Sequence, residues 1–256
     1  MKNKKKLIFA NLKMNLNSNS LNKLIDDFLA KELSFENVDV IFAPPVIYLN
    51  EIRKKNKNKN FMLAAQNVFY EDSGAYTGEI SPLMLRDVGC EWVMIGHSER
   101  RIHTLETNEM INKKIISSSK HNLNIIFCVG ESYEERRNGK TYEVISDQLK
   151  RGLRDINEKQ LRNIVIGYEP VWVIGSGEAA NLKDIDEVHT FIDKQLNIMY
   201  PESSIEPKIV YGGSVNNNNI SDIMKIQNVD GVLVGNASLD TNKFCDIVIT
   251  VGNLND

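Results

Sequence analysis

The sequence has little of what marks a secreted, membrane-bound or metal-bearing protein. Only three cysteines, Cys90, Cys128 and Cys245, stand in 256 residues, far from one another. They match no metal-ligand spacing, and an unpaired odd set fits a reducing compartment better than a disulfide framework. Cys128, inside IIFCVG, reads as a small buried hydrophobe. No apolar run reaches the roughly 18 residues that a membrane span needs. The basic start MKNKKK is followed by LIFANL, which is too short for a secretory signal and soon meets Asn11 and Lys13. It reads as a solvated lead-in to a first strand, and a cytoplasmic location is expected. A net charge of −3 lacks the basic excess that nucleic acid would attract. No low-complexity linker divides the chain. The tracts KKNKNKN at 54–60 and NNNN at 216–219 are short enough to be loops or helix ends.

What is present is an ordinary globular composition, 42% hydrophobic and 25% charged, ample for one sizeable core. Short apolar runs recur along the whole length. They are LIFANLK from 7, VDVIFAPP from 38, FMLAAQNV from 61, WVMIGHSE from 92, NIIFCVGE from 124, NIVIGYE from 163, KIVYGGS from 208 and GVLVGNA from 231. Continuous apolar runs suit parallel strands covered on both faces. Helical patterns lie between them, such as SLNKLIDDFLAKEL at 20–33 and DIDEVHTFIDKQLNIMY at 184–200. Asp184 is the expected N-cap of the latter, with Glu187 completing a capping box. The helices between strands two and three and between strands seven and eight must be short. Strand and helix alternating eight times over this length predict a single (β/α)8 barrel spanning 1–256. The alternative, an open doubly wound sheet, would favour a glycine-rich turn after its first strand, and NLKMN is not one.

In such a barrel the site lies at the carboxyl ends of the strands. The residues that close the runs then converge: Asn11 and Lys13, His97, Glu169, Ser214 and Gly235. The string YEPVWVIGSGEAA at 168–180 reads as a general base, Glu169, joined to a lid at 170–180. Pro170 stiffens one end, an apolar tip follows, and Gly175 and Gly177 permit hinge geometries. A neutral His97 at a helix start could donate a hydrogen bond to a carbonyl oxygen, and Lys13 supplies fixed positive charge. YGGS and VGNA offer Ser214 and the N–H groups of Gly235 and Asn236 to a phosphate. Glu99 and Arg100 are expected to form an ion pair behind the site or to serve an interface. His103, His121 and His189 are expected on the surface or on helices, and Glu131 in a structural role.

These stretches, with NLKMN at 11–15, AAQN at 64–67, GAYTGE at 74–79, IGHSERR at 95–101, YGGSV at 211–215 and LVGNAS at 233–238, resemble the triosephosphate isomerase family in the right order over nearly the whole chain. The pairing of a carboxylate base with a neutral imidazole under a closing loop is that family's known arrangement, so here it rests on the resemblance. The resemblance implies interconversion of dihydroxyacetone phosphate and D-glyceraldehyde 3-phosphate, with no cofactor and no metal. It implies that the Gly175 N–H completes the phosphate site. It also implies a homodimer in which the loop at 74–81 enters the partner subunit, with Thr77 near the partner's lysine and Gln66 and Asn67 along the seam. The sequence departs from the family at four places. Asn236 stands for a usual glycine, Leu12 for a common Trp, Leu16 for a common Gly, and Ser176 for a common Thr. Two rival readings are a Schiff-base barrel aldolase working through a lysine and a barrel retained for binding alone.

Overall fold

The computed structural model describes residues 5–33, 36–173 and 180–254. Each predicted apolar run becomes a parallel strand: β1 (Lys6–Asn11), β2 (Val38–Ala43), β3 (Met62–Ala65), β4 (Trp92–Ile95), β5 (Asn124–Val129), β6 (Ile164–Tyr168), β7 (Ile209–Tyr211) and β8 (Gly231–Val234). They pair in chain order and close into a barrel. In the closing pair, Leu7 to Ala10 of β1 lie against Gly231 to Val234 of β8. The open-sheet alternative is thereby overturned.

Alternate residues of a strand face opposite sides, which divides the core in two. Leu7, Phe9, Ile41, Trp92, Met94, Ile126, Cys128, Val165, Val210 and Leu233 pack together inside the barrel. The Phe9 and Trp92 rings meet edge to face there, 5.1 Å apart. The intervening residues, such as Ile8, Ala10, Ile125, Phe127 and Ile166, pack outward against the helices. Both faces of every strand are therefore dry, which is why the runs are continuous rather than alternating.

Two helix starts differ from the sequence expectation. The first helix is Ser18–Leu29, capped by Asn17 in a reciprocal box with Ser20. The helix expected at 184–200 is Leu182–Met199, and Asn181 rather than Asp184 is its cap. Asn181 accepts the Asp184 N–H at 2.8 Å, and the Asp184 carboxylate takes hydrogen bonds from Asn181 and Arg136. Asn and Asp are comparable caps. The earlier one prevails, leaving Asp184 in the first turn, where a negative charge suits the helix dipole.

His189 lies on that helix, as expected of a helix residue, and is fully buried, with Nδ1 2.8 Å from the Asn228 carbonyl and Nε2 unpartnered. Burial pushes its pKa down to about 4, against the partial support of the Asn228 bond. The unfolded chain therefore takes up this proton near pH 6.5, whereas the folded protein resists until about pH 4. Stability should fall as pH drops through that window, by up to about 3 kcal/mol from this group. Urea unfolding between pH 4 and 7.5 checks this, and His189→Gln should show a flatter slope over the same range.

Candidate active site

The strand period that fills the barrel also aims its rim residues. Leu7 and Phe9 face inward, so Asn11 follows onto the same side. In the same way Val165 leads to Glu169, Val210 to Gly212 and Leu233 to Gly235. A cavity of about 320 Å³ opens at this rim, lined by Asn11, Lys13, His97, Glu169, Ser214, Gly235 and Asn236. Seven of the residues singled out in the sequence thus meet in one place. Gly175, the eighth, lies outside the described residues, as does the lid segment 174–179.

Glu169 is 1% exposed, one residue beyond β6. Its Oε2 accepts the Ser98 N–H at 2.9 Å. Its Oε1 lies 3.0 Å from His97 Nε2 without the alignment of a hydrogen bond. His97 caps the helix Ser98–His103, and its Nδ1 accepts the Glu99 backbone N–H at 3.3 Å. An acceptor nitrogen carries no proton, so the ring proton belongs on Nε2, which faces the cavity. Asn11 Nδ2 stands 3.3 Å from that Nε2, so two N–H donors sit side by side. The Asn11 Oδ1 accepts the Lys13 N–H at 3.0 Å, which orients the amide.

Lys13 Nζ bonds Glu99 Oε1 at 2.6 Å. Desolvation alone would raise the Glu99 pKa, but Lys13 and His97 together outweigh it and hold the carboxyl below its usual range. Glu99 thus forms an ion pair whose cation is Lys13. Arg100 instead pairs with the buried Glu106, which also holds Lys114. Lys13 itself takes φ of 50° and Leu16 φ of 72°, in the left-handed region. That region suits the glycine common at position 16 in the family and strains a leucine. Leu12 is fully buried, with its side chain in the outer core.

Gln66 anchors this turn from below, donating to the Lys13 and Ala43 carbonyls at 2.9 and 2.8 Å. Asn67 accepts from Lys114 at 2.8 Å. Thr77 lies in the exposed stretch Glu71 to Glu79 and does not line the cavity of its own chain.

The residues on either side of segment 174–179 are tied down. Ser214 Oγ donates to the Val173 carbonyl at 3.1 Å, and the Ala180 N–H donates to Tyr211 Oη at 3.3 Å. Glu131, buried, accepts Trp172 Nε1–H at 3.0 Å and the Tyr168 hydroxyl at 3.3 Å, and the Arg136 guanidinium lies 4.5 Å from the Trp172 ring centre. The structural role expected of Glu131 is thus to brace the stretch just after β6, through Tyr168 and Trp172. Sequence reasoning missed Gly130, Gly212 as a contact of Glu169, and Lys243, which also lines the cavity. The local pattern carried no signal for any of them. Among the described residues no cluster of His, Cys, Asp and Glu could hold a metal ion, and no helix is long and apolar enough to cross a membrane.

Fold and cavity together define a (β/α)8-barrel enzyme with its site at the carboxyl ends of the strands. Residues 6–251 match the triosephosphate isomerase family model. The chain is 46% identical to the triosephosphate isomerase of Thermodesulfovibrio yellowstonii over 244 residues, covering 95% of this chain and 98% of that one. It is likewise 46% identical to that of Dictyoglomus thermophilum over 246 residues, covering 96% and 99%. Identity to that of a Thermoanaerobacter species is 43% over 243 residues, covering 94% and 98%. The chain belongs to the triosephosphate isomerase family, a family of isomerases.

Two glycines make room for Glu169. A Cβ on Gly130 would sit 1.7 Å from the Glu169 carbonyl oxygen, and one on Gly212 would sit 3.0 Å from Glu169 Cγ. Gly130→Ala forces backbone against backbone and should cost about 3 kcal/mol or more. Gly212→Ala should cost about 1 kcal/mol or less while displacing the carboxylate. Denaturant unfolding ranks the two, and a crystal structure of Gly212→Ala should show the Ser98–Glu169 bond lengthened.

Proposed function

We propose that this protein interconverts dihydroxyacetone phosphate and D-glyceraldehyde 3-phosphate through an enediolate, with Glu169 as the base. The observation that carries the reading is the buried Glu169 carboxylate beside the Nε2–H of His97 and the amide of Asn11. The carboxylate would turn from Ser98 toward the cavity and take a proton from the carbon next to the carbonyl. Charge then develops on the carbonyl oxygen. His97 and Asn11 would both donate to that oxygen, and fixed donors in a site with little water stabilise such charge strongly. A neutral imidazole would serve here, because its cavity-side proton can pass to one oxygen while the ring takes the hydroxyl proton from the other. Glu169 returns its proton to the neighbouring carbon while the hydroxyl proton passes to the former carbonyl oxygen by way of His97 Nε2, so the reaction would balance without a redox partner.

Lys13 would supply positive charge between the oxyanion and the phosphate. Ser214, Gly235, Asn236 and Gly175 would hold the phosphate itself, and residues 170–180 would close over it. The ties of Val173 and Ala180 to Ser214 and Tyr211 support this reading, since they link both ends of the lid to the phosphate end of the cavity. The rival aldolase reading through Lys13 asks for a lysine free to form a Schiff base, whereas Lys13 is held in an ion pair with Glu99.

The subunit would act as a homodimer. Met14, next to Lys13, is 95% exposed, and Ile47, Tyr76, Leu83, Met84 and Ile102 are further large apolar side chains open to solvent. Large apolar side chains left open to solvent in this number fit an interface. Thr77 would approach the partner from the loop at 74–81.

In a coupled assay of glyceraldehyde 3-phosphate turnover, Glu169→Gln should lower kcat about 10³-fold or more, with KM changed far less. Turnover retained within about tenfold would remove Glu169 as the base. Met14→Glu should shift the protein from two chains to one in analytical ultracentrifugation, with kcat falling in step. A wild-type protein of single-chain mass would refute the dimer.

A further inference from the structure

We infer that Lys243 is a specificity-determining residue of the phosphate end of the cavity, attracting and holding the substrate's phosphate as a point charge; the inference rests on the proposed triose phosphate activity. Lys243 is the third residue of the helix Thr241–Asn253, which Asp240 caps by accepting the Lys243 N–H at 3.1 Å. This cap places the first turn of the helix beside the β8 loop. Lys243 accordingly lines the cavity together with Gly235, Asn236 and Ala237.

The charges around the cavity give it the role. Two cations line the wall, Lys13 and Lys243. The Lys13 ammonium is 2.6 Å from the Glu99 carboxylate, so its charge is largely balanced before any substrate arrives. Glu169 adds a further negative charge to the same space. Lys243 is exposed, and no carboxylate among the described residues lies within ion-pair distance of its ammonium. A phosphate carrying between one and two negative charges would otherwise meet neutral donors and a balanced pair. The backbone N–H groups of Gly235 and Asn236 on the same wall act only at close range and with a set direction. An ammonium on a flexible four-carbon stem does not depend on that close geometry, because its attraction acts over several ångströms.

The test compares Lys243→Met, Lys243→Arg and Lys243→Glu with the wild type. The probes are D-glyceraldehyde 3-phosphate, unphosphorylated D-glyceraldehyde, and inorganic phosphate titrated calorimetrically and as an inhibitor. At low ionic strength Lys243→Met should raise KM for the phosphorylated substrate, and weaken inorganic phosphate, by about threefold to tenfold. The ratio of kcat/KM for the phosphorylated over the unphosphorylated substrate should fall by a similar factor. Lys243→Arg should restore both, and Lys243→Glu should worsen both. The differences should shrink to less than about twofold near 0.5 M salt, as expected of a screened surface charge.

Unchanged KM and phosphate affinity at low salt would overturn the inference. So would an equal loss with both substrates, since that marks a structural role. If the wild type fails to turn over triose phosphate while Lys243→Met still weakens inorganic phosphate, the proposed reaction falls and the anion site at Lys243 stands.

Discussion

The pairing of β1 with β8 is the constraint on which the rest of the molecule depends. Without it the strands would form an open sheet, and the rim residues would be spread along one edge. Closure forces eight carboxyl ends into a ring. Asn11 and Glu169, from β1 and just beyond β6, then come within reach of the same imidazole. The inner core of Phe9, Trp92, Met94 and Ile126 fills the barrel beneath them. The cavity floor is therefore packed side chain, and the polar groups above it are held by neighbours that cannot easily move.

Electrostatics at the rim follow from what each charge is tied to. Lys13 is bound by Glu99, and its backbone is steadied by Asn11 and Gln66. Behind this first set lies a second, in which the buried Glu106 takes Arg100 and Lys114, and Lys114 takes Asn67. A buried carboxylate with two cations is costly to desolvate and costly to break. The stretch that carries Asn67 is thus held from within the chain. Arg101 extends the same logic to the barrel rim, donating to the carbonyls of Gly96 and Cys128 and so tying β4 to β5 beside Glu169. Val173 and Ala180, on either side of residues 174–179, are bonded to Ser214 and Tyr211 of the barrel body.

Much of this was legible in the linear chain. Eight apolar runs matched eight strands, because strands buried on both faces leave an unbroken hydrophobic signature. Strand ends such as Glu169 and Asn11 were readable because the barrel puts its chemistry there. Helix boundaries were less legible. Asn181 and Asp184 are similar caps, and only the packed helix shows which one prevails. His189 looked like an ordinary helix residue, since nothing in its neighbourhood reveals that the helix turns it fully into the core.

The sequence by itself determined the barrel, its family and the identity of the polar residues at its mouth. Those depend on local periodicity and on short motifs, which are properties of neighbouring residues. Only the tertiary structure decided which charges meet. It bound Lys13 to Glu99, gave Arg100 to Glu106, made Gly130 and Gly212 the spacers of Glu169, and brought Lys243 from the last helix to the cavity wall. Each of these joins positions far apart in the chain. Ion pairing and close packing act through space, so their partners are chosen only when the barrel closes.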